Sequence, residues 1–299
     1  MAMYDFTRND PHDRATPVRM VLDALIPSGE YMRSIRAFQV PSESLAIWFF
    51  GQNGFVLKAA TGPLIGIDLY LTNSCAQRFA HLPFRLDRQL PVFVEPEDLD
   101  VDVFLTTHSH GDHADPETIR RLRNRESMCF VGPWQSVETY QECGIAPARC
   151  TLIHPSQTCG FGGVDITSTF ALPTDSTDLN HSGALLRFPG GITFLNTGDT
   201  AWSELLPSLL PGAPDICAIC INGGYNNLSG GQAARLIAAL RPRVTIPCHY
   251  DMMINNTANP DTFRVALDIL ECRVPVHIPT YYEPWLYNPA EYPLARVRP

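Results

Sequence analysis

Residues 106–115 read Thr-Thr-His-Ser-His-Gly-Asp-His-Ala-Asp, placing His108, His110, Asp112 and His113 within six positions. An apolar run over 101–107 leads into them and predicts a buried strand. Imidazole nitrogens and carboxylate oxygens are the ligands that zinc, manganese and iron accept. A cluster this dense predicts a metal site, with room for two ions. His108 and His110 are two apart where a strand ends, so their side chains leave the same face. Asp112 and His113 fall in the turn before a helix, a turn that Gly111 is expected to ease. One such turn cannot close two coordination shells. Whatever the chain folds into must bring further ligands to this point from distant segments.

The other elements supply them. His181 precedes a strand predicted over 184–188, His249 follows one over 244–247, and Asp199 ends another over 192–196. Ligands carried at strand ends sit on a rigid frame. Strands are also predicted at 46–50, 55–59, 64–69, 128–131, 151–153, 164–171 and 216–221. Helices are predicted at 116–125, 134–142, 231–240 and 260–270, the first capped by Asp115 with Pro116 at its first position. Residues 16–26 have helical spacing, which Pro27-Ser28-Gly29 is expected to end. Residues 70–100 read as a long connection of the kind that forms pocket walls. Both halves run from meandering strands into strand–helix alternation. The chain therefore reads as α/β, a four-layer αββα sandwich of two packed sheets with helices outside. We divide it into a helical extension (1–44), the sandwich (45–280) and a tail packed on it (281–299).

Composition narrows the partners. The net charge is −9, which argues against a nucleic-acid backbone. An anionic small substrate remains open, because bound divalent ions reverse the local potential. The N-terminus lacks the pattern of a signal peptide, and no apolar run approaches the ~20 residues that span a bilayer. Nine cysteines, odd in number and scattered, give no disulfide framework. A cytoplasmic protein without membrane or nucleic-acid partners is expected. Cys217 and Cys220 read as core residues of a buried strand rather than a zinc pair, since positions three apart face opposite sides.

The stretch Thr107-His108-Ser109-His110-Gly111-Asp112-His113 resembles the H-x-H-x-D-H signature of the metallo-β-lactamase superfamily, and His181, Gly198-Asp199 and His249 follow in that superfamily's order. The resemblance spans roughly residues 45–280. It implies that His108, His110 and His181 hold one divalent ion, that Asp112, His113 and His249 hold a second, and that Asp199 bridges the two. Within Ile65-Gly66-Ile67-Asp68 it implies a supporting role for Asp68, behind the ligands or fixing their loop. A narrower resemblance, to the ascorbate-6-phosphate lactonase-like branch, rests on Trp48-Phe49-Phe50-Gly51-Gln52-Asn53-Gly54 and on residues 244–252, followed by Asn255 and Asn259-Pro260. That branch implies manganese and a homo-oligomer. His181 falls where the lactonase itself has no clear histidine, which moves the ligand set toward Zn²⁺; Fe²⁺ also suits it.

The expected activity is hydrolysis by hydroxide generated between two divalent ions, with Asp112 and Asp199 as catalytic residues. A sugar-acid lactone, with or without a phosphate, is the leading substrate. A phosphodiester or another ester is the alternative, and a metal-binding interaction protein without turnover is the third reading. Pocket candidates are Tyr225 and Asn226, in an amide-rich loop that lines a pocket or simply turns, together with Asp251 and Asn255. Asp251 lies close enough in sequence to orient His249 or substrate. Arg78, Arg85 and Arg88 in the long connection are candidates to meet an anionic group, or else form a solvated basic loop.

Overall fold

The structure is a computed structural model and describes residues 25–293. The elements in chain order are α1 (Ser28–Ala37), β1 (Leu45–Gly51), β2 (Gly54–Ala59), β3 (Ile65–Ile67), α2 (Ser74–Arg78), β4 (Val103–Leu105), α3 (Pro116–Arg121), β5 (Cys129–Gly132), α4 (Trp134–Glu142), β6 (Cys150–Leu152), β7 (Thr158–Phe161), β8 (Val164–Phe170), β9 (Ser182–Arg187), β10 (Thr193–Asn196), α5 (Leu206–Leu209), β11 (Ile216–Cys220), α6 (Gly230–Leu240), β12 (Val244–Cys248), α7 (Pro260–Ile269) and β13 (Trp285–Tyr287).

Two mixed sheets carry the fold. One runs β13-β1-β2-β3-β4-β5-β6 and the other β12-β11-β10-β9-β8-β7. β1, β11 and β12 are buried at every position, because a strand covered on both faces cannot alternate polar with apolar. Across the interior, Phe55 on β2 meets Phe194 on β10 edge-on at 5.5 Å between ring centroids, which locks the sheets face to face. α4 packs on β5 and β6 of the first sheet with α3 beside it, and α6 packs on β11 of the second with α7 beside it. This is the expected αββα order.

β3 to β6 are parallel, and so are β10 to β12. β3, β4, β10 and β12 therefore end at one rim of the sandwich. Antiparallel β9 begins there, beside the end of β10. The segments bearing Asp68, His108, His181, Asp199 and His249 all leave from this rim.

Several local expectations change. The predicted helix at 16–26 lies, apart from its last two residues, outside the described residues. Pro27 opens α1: its carbonyl accepts the amides of Glu30 and Tyr31. A proline at that border fits either the end of one helix or the start of the next. α3 stops at Arg121, four residues early, because Leu122 turns extended. The 70–100 connection contains α2 and a 3₁₀ turn at Pro96–Asp98. Within the expected tail, Trp285–Tyr287 pair antiparallel with Leu45–Ile47 and so extend the first sheet. Ahead of that strand, Tyr281 and Tyr282 stack on Phe49 and Tyr31. Among the described residues, no helix is long and apolar enough to cross a membrane.

Candidate metal centre

β4 ends at Leu105, two residues sooner than expected, and the ligand-type turn leaves it as an ordered loop. Thr107 anchors that loop. Its amide donates to Asp68 Oδ1 at 2.7 Å and its hydroxyl donates to Asp68 Oδ2 at 2.6 Å, leaving a hydroxyl lone pair for His108 Nδ1 at 3.1 Å. Asp68 Oδ2 also accepts from Asn53 Nδ2 at 2.6 Å and from His113 Nδ1 at 2.8 Å. Asp68 therefore fixes two histidines, one directly and one through Thr107. A carboxylate behind an imidazole sets its tautomer and turns the other nitrogen toward the site. Asp68 holds a left-handed backbone, φ 45°, and so does His249, φ 60°. Such conformations cost of order 1–3 kcal/mol outside glycine and persist where the surroundings over-determine them.

The second sheet is stitched to the same loop. Ser182 donates through both its amide and its hydroxyl to the Thr107 carbonyl, at 3.0 and 2.9 Å. Asp178 accepts the Ser109 amide at 2.7 Å. His181 gives Nδ1 to the Asp199 backbone carbonyl at 3.1 Å. Gly198 makes the turn that presents Asp199, with φ 61°; a Cβ there would lie 2.5 Å from the Ser182 carbonyl oxygen, so only glycine fits.

Three groups result. The candidate ligand atoms of His108, His110 and His181 lie within 4.8 Å of one another, and the same is true of His108, His113 and Asp199, and of Asp112, His113 and His249. Asp199 Oδ2 is 3.6 Å from His113 Nε2 and 3.4 Å from His249 Nε2, and Asp112 Oδ2 is 3.4 Å from the latter. All seven predicted ligand residues are thus brought to one place, with Asp199 between the two ends.

The buried Nε2 atoms of His108, His113 and His181 and the buried Oδ1 of Asp199 have no hydrogen-bond partner. Each such atom costs about 1–3 kcal/mol when left unmade, and four converge here. Nitrogen lone pairs and a carboxylate oxygen facing one small space form a donor set suited to divalent cations. The electrostatics agree. Burial, then the neighbouring imidazoles of His113 and His181, push His108 well below the usual imidazole range. Burial also lowers His181. Both stay neutral, the form that binds metal. At the other end, burial opposes charge on His113 and His249, but Asp112 and Asp199 outweigh it and raise both. Asp112 and Asp199 are held well below the usual carboxylate range: burial works against this, and the facing histidines prevail. At that end a divalent cation would replace the protons that the two carboxylates draw onto His113 and His249.

A pocket of about 350 Å³ opens over the cluster, lined by His110, Asp112, Asp199 and His249 and walled by the 74–90 connection and the 223–227 loop. Tyr225 lines it, as expected. Asn226 does not; its Nδ2 donates to the Thr174 carbonyl at 2.7 Å, and Asn227 takes its place, donating to Asp199 Oδ2 at 2.6 Å. The same one-residue offset recurs at Asn255, which accepts the Arg85 amide at 2.7 Å while Asn256 lines the pocket and stands 3.5 Å from His249 Nδ1. Asp251 is buried and accepts the Tyr281 hydroxyl rather than facing the pocket. Gly111 is not left-handed; its missing Cβ leaves room for Arg78, whose Nη1 would lie 3.2 Å from such an atom. Exposed Arg85 pairs with Asp87, and Arg88 donates to the carbonyls of Tyr70, Leu90 and Pro91.

Gln52 was not among the candidates, yet its Nε2 donates to Asp112 Oδ2 at 2.7 Å and lies 3.4 Å from His249 Nε2. The signal was in Gly51-Gln52-Asn53-Gly54, a hairpin turn of the kind that ordinarily faces water. Here both amides are fully buried. His110, the most open of the site histidines, is steadied by Thr177 Oγ1 at 3.0 Å and Asp175 at 3.4 Å.

A family model described as "Beta-lactamase superfamily domain" matches residues 46–249. Among curated proteins, the "Probable L-ascorbate-6-phosphate lactonase UlaG" of Salmonella heidelberg is 22% identical over 280 residues, covering 79% of this chain and 78% of the relative. Among solved structures, the metallo hydrolase Igni18 of Ignicoccus hospitalis superposes with a TM-score of 0.63 at 20% identity, covering 82% of this chain and 98% of that one. The metallo-beta-lactamase fold protein YhfI of Bacillus subtilis gives 0.59 at 14% identity, covering 82% and 100%.

Proposed function

The chain belongs to the metallo-β-lactamase superfamily, and we propose that it is a metal-dependent hydrolase that opens lactones. The observation that carries this reading is the convergence of four unpartnered buried ligand atoms beneath an open pocket. His108, His110 and His181 would hold one divalent ion and Asp112, His113 and His249 a second, with Asp199 shared. Zn²⁺ and Mn²⁺ both suit this donor set. Such ions, when bound, supply an acidified water and a Lewis acid for the acyl oxygen.

The chain's own residues do the rest. Asn227 holds one oxygen of Asp199 and leaves the other facing the site. Gln52 fixes the Asp112 carboxylate, which stays ionised, positioned to orient the attacking water and receive its proton. The water oxygen joins the acyl carbon, the ring acyl–oxygen bond breaks, and Asp112 returns the proton to the released oxygen. The product is a hydroxy acid. The distant likeness to the lactonase UlaG supports a lactone over other esters.

The test is a panel of lactones, phosphodiesters and β-lactams assayed on protein stripped of metal and then loaded with Zn²⁺ or Mn²⁺. Lactone turnover that requires metal, and that falls at least a hundredfold in Asp199→Asn, is the expected outcome. Absence of hydrolysis of every ester class by fully loaded protein overturns the reading. Faster phosphodiester than lactone cleavage replaces it.

A further inference from the structure

We infer that the pocket selects an uncharged substrate with an aromatic or otherwise apolar arm, held between the 74–90 connection and Tyr225. This rests on the hydrolytic reading above and narrows its substrate away from phosphorylated sugars. Apart from the ligand-type residues, the pocket wall is dominated by Phe79, Leu82, Phe84, Leu86, Tyr225 and Met253. Phe84 and Tyr225, from loops far apart in sequence, meet edge-on with ring centroids 5.7 Å apart. Tyr225 is 47% exposed and keeps a left-handed backbone, φ 53°. A bulky aromatic held at such a position and still half in solvent offers a face to something that is not the protein's own core. Its loop does not hang free, since the Asn226 side chain ties it to Thr174.

Charge points the same way. The wall carries one guanidinium, Arg78, and one carboxylate besides the ligand-type pair, Asp175, so the two offset each other. Arg78 already lies over the Phe79 ring, 5.5 Å from its centroid. Arg85 is paired with Asp87, and Arg88 is spent on backbone carbonyls. A phosphate on the substrate would meet Arg78 as the wall's one guanidinium, itself offset by Asp175. An apolar ring entering the same space exchanges water for aromatic and aliphatic surface. A volume of about 350 Å³ lies at the small end for ligand pockets, room for a lactone and one ring-sized substituent.

Two readouts separate this inference from the hydrolytic one. Binding is measured by calorimetry with ethers that cannot be hydrolysed: an aryl-substituted tetrahydrofuran and tetrahydrofurfuryl phosphate. Turnover is measured with the matching aryl and phosphomethyl lactones. The aryl ether is expected to bind at least tenfold more tightly than the phosphate. Phe84→Ala and Tyr225→Ala should each weaken its binding by roughly ten- to a hundredfold, while Phe84→Leu keeps most of it. With the lactones, kcat/KM should favour the aryl compound, and the alanine variants should erase that preference through KM. Tighter binding of the phosphate ether, or a preference that both alanine variants leave intact, overturns the inference. Phe84-dependent binding of the aryl ether without turnover of any lactone would uphold the pocket's selectivity and sink the lactone reading instead.

Discussion

Asn226 and Asn227 are adjacent amides with different work. The first ties a loop to Thr174, and the second holds Asp199 in place. Asn227→Ala should therefore lower metal occupancy and cut turnover at least tenfold. Asn226→Ala should leave metal content at the wild-type level, and inductively coupled plasma measurement on both variants decides it. Outside the site, His277 is stacked on Trp285 at 3.9 Å with an unpartnered Nε2, and burial lowers its pKa to about 4. The folded pKa lies below the unfolded value, so the unfolded chain binds the extra proton between about pH 6.5 and 4. His277 thus costs nothing above pH 7 and destabilises the fold as pH falls through that window, by up to about 2 kcal/mol at pH 5. Urea unfolding of His277→Gln at pH 7 and pH 5 should show a smaller loss on acidification than wild type. An equal loss in both would assign the acid sensitivity elsewhere.

At the scale of elements, Asp115 does more than cap α3. Its carboxylate accepts the amides of Glu117 and Thr118 and the hydroxyls of Thr118, Thr72 and Ser74. It therefore ties the helix that follows the ligand turn to the start of α2, which carries the pocket wall. Asp115→Ala should cost about 2–3 kcal/mol by denaturant unfolding, beyond a simple cap, because three hydroxyls also lose their acceptor. Asp115→Asn should recover part of that. The cap and α4 (Trp134–Glu142) were legible in the sequence because their signals are local. α1 and β13 were not. The proline before α1 reads equally as a stop, and Trp285–Tyr287 becomes a strand only because β1 offers an unpaired edge. β7 escaped for a related reason: a four-residue, partly exposed edge strand containing a glycine is too short to carry a periodic signal and has no buried run.

For the whole molecule, the site is a seam between two sheets. His108, His110, Asp112 and His113 follow the first sheet's β4, while His181, Asp199 and His249 border strands of the second. Ions bound there would join the two halves and bind only the folded chain. Chelation should therefore lower the thermal midpoint, and added Zn²⁺ or Mn²⁺ should raise it in a concentration-dependent way; a site a hundredfold above its Kd contributes about 2.7 kcal/mol. A midpoint indifferent to metal and chelator alike would argue against occupancy at the seam.

The ligand types, their order along the chain and the layered class were determined by the sequence itself, because imidazole spacing and strand periodicity are written locally. Tertiary structure decided which neighbour of each amide pair turns inward: Asn227 over Asn226, Asn256 over Asn255. It also buried the Gln52–Asn53 hairpin against the ligands and spent Arg85 and Arg88 away from the pocket. Those outcomes depend on left-handed backbone at Gln52, Tyr225, Asn226 and His249 and on partners that only the fold brings near, such as Asp199 for Asn227 and His249 for Gln52. No local pattern encodes them, and they decide what the pocket will accept.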